Sequence, residues 1–349
     1  MKTFSFRLKS KNVGSLQKMA GAVNFVWNYC NDTSIQYLDK YGKWLSGYDL
    51  GYLTAGCSRD LPINAQTIQA ISHEYATRKR AAKKRKLRWR SKRSFGWIPF
   101  NGQTIHVSED HVKYSGVRFR FWKSREIEGK IKSGSFSQDV KGNWYLNLSC
   151  DVMPVEKIID NREVGIDLGL KTLATLSDGS TIHRENLTNK YAERLAKAQR
   201  ARKKRLVRHI HVKINNIRKD FNHKATTNIV NKYGTIFVGN VSPSKLKQTR
   251  FARSVSDAGW FNFKSMLAYK AIALGVEYKE INEKFSTVTC SVCFERTGPS
   301  GLSALGVREW ICKCGATHNR DVNAAKNILR FGHETLLKES HGRGCQVFN

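Results

Sequence analysis

The chain has 349 residues, enough for a sizeable core and for more than one domain. Lysine and arginine number 61 against 28 aspartate and glutamate, a formal net charge of +33; such a surplus repels itself unless a polyanion neutralises it, and nucleic acid is the natural partner because each neutralised phosphate releases counterions. No apolar run approaches the ~18 residues of a membrane span, and no apolar core follows the basic residues of MKTFSFRLKSKN, so membrane and secreted classes are disfavoured and a soluble intracellular protein is expected.

In chain order, KTFSFRLKS alternates as a strand, and Leu16, Met19, Val23, Val26 and Trp27 then recur at helical spacing. A second helix is expected from INAQTIQAISHEY through to residue 93. Between 78 and 93 it carries 11 basic residues of 16 and no acid. Arg78, Lys79, Arg80, Lys83, Lys84, Arg85, Lys86, Arg88 and Arg90 in this run suit phosphate contacts, and the interleaved Ala81, Ala82, Leu87 and Trp89 predict a structured segment. Trp89, Phe95 and Trp97 could stack on bases or simply pack. On the same helix Gln66, Gln69 and His73 share a face that either meets solvent or reads a duplex motif, since Gln pairs bidentately with adenine. Residues 95–152 then read as short strands separated by turns such as Ser115-Gly116 and Lys141-Gly142, a small barrel closed by the first strand.

MPVEKIIDNRE has the composition of a linker. Beyond it, VGIDLGLKTLATLSDGSTIH predicts two strands and the start of a third near Thr181. A long basic helical region follows; eight of the fifteen residues from 194 to 208 are basic, among them Arg200, Arg202, Lys203, Lys204 and Arg205. The apolar strand GTIFVGNV, a helix around WFNFKSMLAYKAIALG, the strand VEYKEIN, a cysteine cluster and a last helix in RDVNAAKNILRFG complete the order. Three hairpin-like strands followed by alternating helix and strand is the order of an RNase H-type α/β sheet, so the fold class is α+β and α/β, multidomain.

Of eight cysteines, Cys30, Cys57, Cys150 and Cys345 are scattered, whereas Cys290 and Cys293 form a Cys-x-x-Cys pair and Cys312 and Cys314 a tighter Cys-x-Cys pair. Four thiolates close a tetrahedron around Zn²⁺ and leave no open position for water, so a structural zinc is expected, with His318 as a possible substitute ligand. Asp167 follows an apolar run and sits between Gly165 and Gly169; an aspartate there is costly unless hydrogen-bonded or binding something, and the glycines would let a backbone or a phosphate approach. Asp321 opens the last helix, where it is either a capping residue or a second carboxylate of the same sheet edge. Carboxylates converging on such an edge suit two Mg²⁺ ions and phosphodiester hydrolysis.

GIDLGLKTLATLSDG, CSVC…CKCG and NRDVNAAKNI, in that order, resemble the TnpB family of transposon-encoded RNA-guided DNA nucleases, relatives of the type V CRISPR effectors; RLKS…AGAVNFVWNYCND and KGNWYLNLSCDV extend the resemblance toward the N-terminus. The resemblance implies a wedge-type β-barrel (1–15 and 95–155) with a helical recognition insert (16–94), then an RNase H-like RuvC nuclease domain (161–285 and 320–337) with an inserted zinc ribbon (286–319), and a tail (338–349). It also implies a guide RNA, a double-stranded DNA target cut beside a short adjacent motif, and a prokaryotic, cytoplasmic, nucleoid-associated setting. Size and basicity suit a monomeric ribonucleoprotein.

The family closes its metal site with a glutamate at the tip of the fourth strand, where this chain has Gly239. Either cleavage is lost and the protein binds DNA as an RNA-guided repressor, or another acid serves. Because the fourth and fifth strands of such a sheet run parallel and about 4.8 Å apart, Glu283, just beyond VEYKEIN, is the candidate replacement; Glu280, Glu277 and Asp257 are the other acids in reach. The catalytic and Mg²⁺-binding set is therefore expected to be Asp167, Glu283 and Asp321. A DNA-transposing enzyme finds little support, since no tyrosine or serine nucleophile motif stands out.

Overall fold

The computed structural model describes residues 1–9, 11–153, 161–240, 259–300 and 306–343. The chain separates into two compact units, 1–153 and 154–349. Among the described residues no helix is long and apolar enough to cross a membrane.

The first unit joins a curved β structure to three helices. Strand β1 (Lys2–Arg7) is followed by α1 (Val13–Tyr41), α2 (Gly47–Leu53) and α3 (Ala65–Ala82), then β2 (Trp97–Asn101), β3 (Ile105–Val107), β4 (His111–Tyr114), β5 (Val117–Arg120), β6 (Lys130–Gln138) and β7 (Trp144–Asp151). The sheets have the orders β1-β7-β6-β2 and β3-β4-β5. Chain continuity through a single 3-10 turn links β2 to β3. On the other side the end of β1 reaches β5 through a bridge between Leu8 and Phe121 and a bond from Lys9 N to the Arg120 carbonyl. Alternate residues of β7 are buried (Trp144, Leu146, Leu148, Cys150), as period-two patterning dictates, and they pack with Phe4, Phe6, Phe100, Phe119 and Phe136 in one core. The α3 residue Thr67 ties the helices to this core, donating to the Pro99 carbonyl at 2.9 Å and lying 2.5 Å from the Tyr114 hydroxyl.

The helix expected to run through residue 93 stops at Ala82, and the basic run from 83 onward is an extended strap. Lys83 turns the chain with a left-handed φ of 50°. Three asparagines at helical spacing on α1 then hold the strap as a neighbouring strand would. Asn31 Nδ2 donates to the Leu87 carbonyl (2.9 Å), Asn28 exchanges bonds of 2.8 Å with both the N–H and the carbonyl of Arg90, and Asn24 Nδ2 reaches the Ser91 carbonyl (3.2 Å). Local propensity favoured continuing the helix; these side chains satisfy the backbone in another conformation, and the tertiary pairing wins.

In the second unit β8 (Glu163–Asp167), β9 (Ala174–Leu176) and β10 (Thr181–Ile182) form the expected hairpin run. The basic region is broken into α4 (Leu187–Lys190), α5 (Ala192–Arg200) and α6 (Lys204–Lys232). Then come β11 (Thr235–Gly239), α7 (Trp260–Ala273), β12 (Glu277–Ile281), the hairpin β13 (Glu309–Ile311) and β14 (Thr317–Asn319), and α8 (Arg320–Arg343). The sheet order is β10-β9-β8-β11-β12, with β8, β11 and β12 parallel and β9 and β10 antiparallel. Val164, Ile166, Ile236 and Val238 pack in a core shared with residues of α6 and α7, while Phe237 packs with Ile281 and Ile328 of α8 on the other face. Gly165 and Asp167 alternate with Val164 and Ile166, so they belong to the α8 face.

Gly165 explains how closely α8 lies. A Cβ there would sit 2.2 Å from the Ala325 carbonyl oxygen and 2.6 Å from the Leu329 backbone nitrogen, so the approach that this glycine permits is that of a helix backbone and not of a phosphate. We predict that Gly165→Ala destabilises the chain by about 1–3 kcal/mol or more through overpacking, read as a lowered denaturant midpoint; an unchanged midpoint would contradict this packing.

Candidate metal centre and nucleic-acid surface

Asp167 ends β8, opposite Thr175 of β9. The parallel register sets Ile166 beside Val238 and Gly239 beside Ile281. Gly239 thus follows Phe237 on the α8 face, one row from Asp167, and Glu283 comes two residues after Ile281. A Cβ built on Gly239 would lie 2.4 Å from Glu283 Oε2 and 3.3 Å from Glu283 Cβ. The volume that any side chain at 239 would occupy is therefore filled by the Glu283 carboxylate, whose Oε2 is buried. Asn240 completes the arrangement: its N–H donates to the Ile281 carbonyl (2.8 Å) and its Oδ1 accepts from the Glu283 N–H (3.5 Å).

Burial, followed by the negative charges of Glu283 and Asp321, pushes the pKa of Asp167 up to about 7. These acids therefore share an electrostatic environment that protonation or a cation would relieve. Asp321 occupies the first turn of α8, yet it does not cap it. Asn319 does, its Oδ1 accepting from the N–H groups of Asp321 and Val322, both at 3.2 Å, which leaves the Asp321 carboxylate available. That carboxylate receives the Arg308 guanidinium, with one nitrogen 3.0 Å from both oxygens. Arg308 was not evident from sequence, where it is one basic residue in a loop before a short strand. Among the described residues only the cysteine cluster brings three or more ligand atoms within 4.8 Å of one another, so the three carboxylates do not form as tight a group.

The other acids lie elsewhere. Glu280 accepts from Lys264 Nζ at 2.6 Å and from the Tyr278 hydroxyl at 3.3 Å. Glu277 pairs in register with Thr235, at the opposite end of β12 from Gly239. Asp257 lies outside the described residues.

The turn carrying Glu283 is braced from α8. Buried Asn323 and Asn327 donate to the Thr289 carbonyl (2.8 and 2.6 Å) and to that of Ser286 (3.4 and 2.9 Å), and Asn323 Oδ1 accepts from Ser291 N–H at 2.9 Å. The same bracing carries the chain into the cysteines. Cys290, Cys293, Cys312 and Cys314 place all four sulfurs within 4.8 Å, with Cys290 3.8 Å from Cys314 and Cys293 3.5 Å from Cys312, far beyond disulfide length. Thr297 Oγ1 lies 3.0 Å from Cys312 Sγ. The Cys314 backbone amide, then this hydroxyl, hold the Cys312 thiol below the usual thiol range. His318 stands behind the cluster, with Nε2 3.0 Å from Cys290 Sγ and its ring 4.6 Å from that of Trp310.

The basic residues divide between surface and interior. Arg200, Arg202, Lys203, Lys204 and Arg205 are exposed at the turn between α5 and α6, where Arg202 has a φ of 51°. Arg80, Lys83, Lys84, Arg85, Lys86 and Arg88 are exposed along the strap and the helix end before it. Arg78 is exposed but pairs with Glu74. Lys79 is buried, and Arg90 is half-buried above Trp27 and Trp97, donating to Asn24 Oδ1 at 2.6 Å; Arg90 therefore serves the packing of the strap. Trp97 also packs, whereas Trp89 and Phe95 are exposed. Gln66, Gln69 and His73 all lie on the exposed face of α3, with His73 edge-on to Tyr48 at 4.8 Å.

Two family models match this chain: OrfB_IS605, described as "Probable transposase", over residues 148–250, and the Cas12f1-like TNB domain over residues 260–328. A "Putative RNA-guided DNA endonuclease" of Streptomyces pristinaespiralis is 38% identical over 210 residues, covering 56% of this chain and 52% of that protein, so the chain spans about half the length of this relative. A "Putative RNA-guided DNA endonuclease InsQ" of Escherichia coli K12 is 26% identical over 387 residues, covering 96% and 93%. Among solved structures, the Cas12f1 chain of a Cas12f1-sgRNA-target DNA complex superposes with a TM-score of 0.61 at 15% identity, covering 91% of this chain and 82% of that one, which shows a shared mixed α/β fold. The two models fall along the chain in the order of its motifs, and these similarities agree with the resemblance to the TnpB family that the motifs carry.

Proposed function

We propose that this chain is an RNA-guided DNA endonuclease whose third catalytic carboxylate has moved from the fourth strand of the sheet to the turn after the fifth. The observation that carries this reading is the Glu283 carboxylate lying in the space that a side chain at Gly239 would fill. A chain that had merely lost its nuclease function would have no physical reason to refill that volume with an acid and clamp it through Asn240. In this reading residues 161–285 and 320–337 form a RuvC-type domain, 286–319 a zinc ribbon, 1–15 and 95–155 a wedge barrel, and 16–94 its helical insert. Relatives named as RNA-guided endonucleases support the activity, and the basic surfaces support guide RNA and target DNA as partners.

Asp167, Glu283 and Asp321 would hold two Mg²⁺ ions, which in such sites activate the attacking water and stabilise the leaving oxygen. The donor chemistry fits, since hard carboxylate oxygens suit Mg²⁺ and the pKa of Asp167 is raised first by burial and then by the charges of Glu283 and Asp321. Asp167 supplies the fixed position at the end of a central strand. Asp321 is held by Arg308 until a stronger cation competes for it. Glu283 is oriented by Asn240 and by the turn that Asn323 and Asn327 brace. Four sulfurs already grouped fit a structural Zn²⁺, with the Thr297 hydroxyl as an outer partner of Cys312. Gln66, Gln69 and His73 are the proposed readers of the adjacent motif.

Purified with its guide and given Mg²⁺ and a matched target, the wild type should cleave. Glu283→Gln should lose more than about 100-fold in cleavage rate, beyond what loss of an outer-shell partner costs, while retaining guide and target binding; full cleavage by Glu283→Gln would sink the assignment. Gly239→Ala should displace the Glu283 carboxylate and slow cleavage by about tenfold or more with guide binding intact, measured on the same plasmid target. One zinc per chain is expected by elemental analysis, and Cys290→Ser should lower both that content and the melting temperature.

A further inference from the structure

The strap that replaces the end of the expected helix creates a feature that phosphate binding by a basic helix would not need. Two cavities adjoin it, and Lys84 lines both. The first, of about 570 Å³, lies where Leu38, Leu45 and Ala76 meet Trp44, and Lys79 Nζ sits 3.6 Å from the centroid of the Trp44 ring. The second, of about 870 Å³, is lined by Leu87, Lys86 and Trp89, with Lys86 Nζ 5.0 Å from the Trp89 centroid. Each cavity therefore joins an apolar wall, an indole and an ammonium group poised over it. No acidic residue lines either one; the Asp39 carboxylate nearby is engaged with Arg85.

Trp44 and Trp89 are 44% and 41% exposed, as Trp122 also is, whereas Trp27 and Trp144 of the same unit are buried. Leaving large rings in contact with water forgoes the burial that stabilises the rest of the core. The asparagine ladder on α1 fixes the backbone of residues 87–91, so the Trp89 ring is presented from a rigid frame. A solvated basic face would need neither the pinned strap nor the paired indoles. Aromatic faces alternating with unneutralised cations bind single-stranded polynucleotide, because bases stack on the rings while cations track the phosphates. Base-paired nucleic acid cannot use such pockets, since its bases already stack on one another.

We propose that the strap with Trp44 and Trp89 is a cradle for a single-stranded polynucleotide, seating one unpaired base against each indole with the exposed Lys84 and Lys86 on the intervening phosphates. This rests on the RNA-guided reading, which supplies two such strands, an unpaired part of the guide RNA and the displaced strand of the target DNA. The cradle lies wholly within the first unit and owes nothing to the carboxylate site.

The test is ultraviolet crosslinking of the ribonucleoprotein purified with its own RNA, before and after addition of target DNA, followed by digestion and mass spectrometry, with RNA retention measured in parallel for Trp44→Ala/Trp89→Ala and Trp44→Phe/Trp89→Phe. Ribonucleotide adducts on the peptides carrying Trp44 and Trp89 are expected if the guide occupies the cradle. Deoxyribonucleotide adducts that appear there only with target would support it with DNA as the occupant. For a guide occupant, the alanine pair should weaken RNA binding by roughly 10-fold or more and the phenylalanine pair should restore most of it, since ring stacking survives; for a DNA occupant, the same contrast should appear in target binding. Adducts confined to other segments, with both pairs binding RNA and target as the wild type does, would overturn the cradle and leave the RNA-guided reading standing. A chain that purifies without RNA and binds none would overturn both.

Discussion

The close approach of helix α8 to the parallel sheet is the constraint from which the candidate centre follows. Gly165 omits a side chain that would hold the helix off, since a Cβ there would lie 2.2 Å from the Ala325 carbonyl oxygen. Once the helix is there, its first turn carries Asp321 toward the end of β8, and Asn323 and Asn327 meet the turn beyond β12. The helix thus sets two of the three acids: one by carrying it, the other by bracing the backbone from which it hangs. Gly332 repeats the device farther along, where a Cβ would lie 2.3 Å from the Phe237 ring.

Moving a carboxylate by one strand asks for more than an acid in the right neighbourhood. A strand tip must be emptied, the incoming chain must be held, and the new side chain must point inward. Gly239 meets the first need, Asn240 and the α8 asparagines the second, and the parallel pairing of β11 with β12 the third, since it carries the end of β12 to the same sheet edge. Arg308 adds a counter-charge. One of its nitrogens, shared between both oxygens of Asp321, limits the repulsion among three carboxylates, which adds to burial in raising the pKa of Asp167.

Much of this was legible in the sequence, for identifiable reasons. The sheet declared itself through short apolar runs, and the cysteines through spacing that few other chemistries require. The place of Glu283 beside Gly239 could be foreseen because strand direction follows from element order, so a residue just past the fifth strand emerges at the same sheet edge as the tip of the fourth. What escaped the sequence depended on partners distant in the chain. Nothing in the basic run from 83 to 93 says that Asn24, Asn28 and Asn31 will satisfy its backbone, so the helix was carried too far. The cap on α8 belongs to Asn319 and not to Asp321, and Arg308 gains its meaning only when the β13–β14 hairpin brings it to that aspartate. Arg90 counted as a phosphate ligand by its charge alone, whereas its two tryptophan neighbours give it a packing role.

The central claim, that Glu283 is a metal ligand standing in for the acid missing at 239, is tested most directly by Mn²⁺ binding followed by electron paramagnetic resonance, with Mn²⁺ in place of Mg²⁺, on the wild type and Glu283→Gln. The account predicts tight binding by the wild type and a loss of affinity of roughly 10-fold or more in the variant, with zinc content unchanged. Equal Mn²⁺ affinity in the two proteins would contradict it.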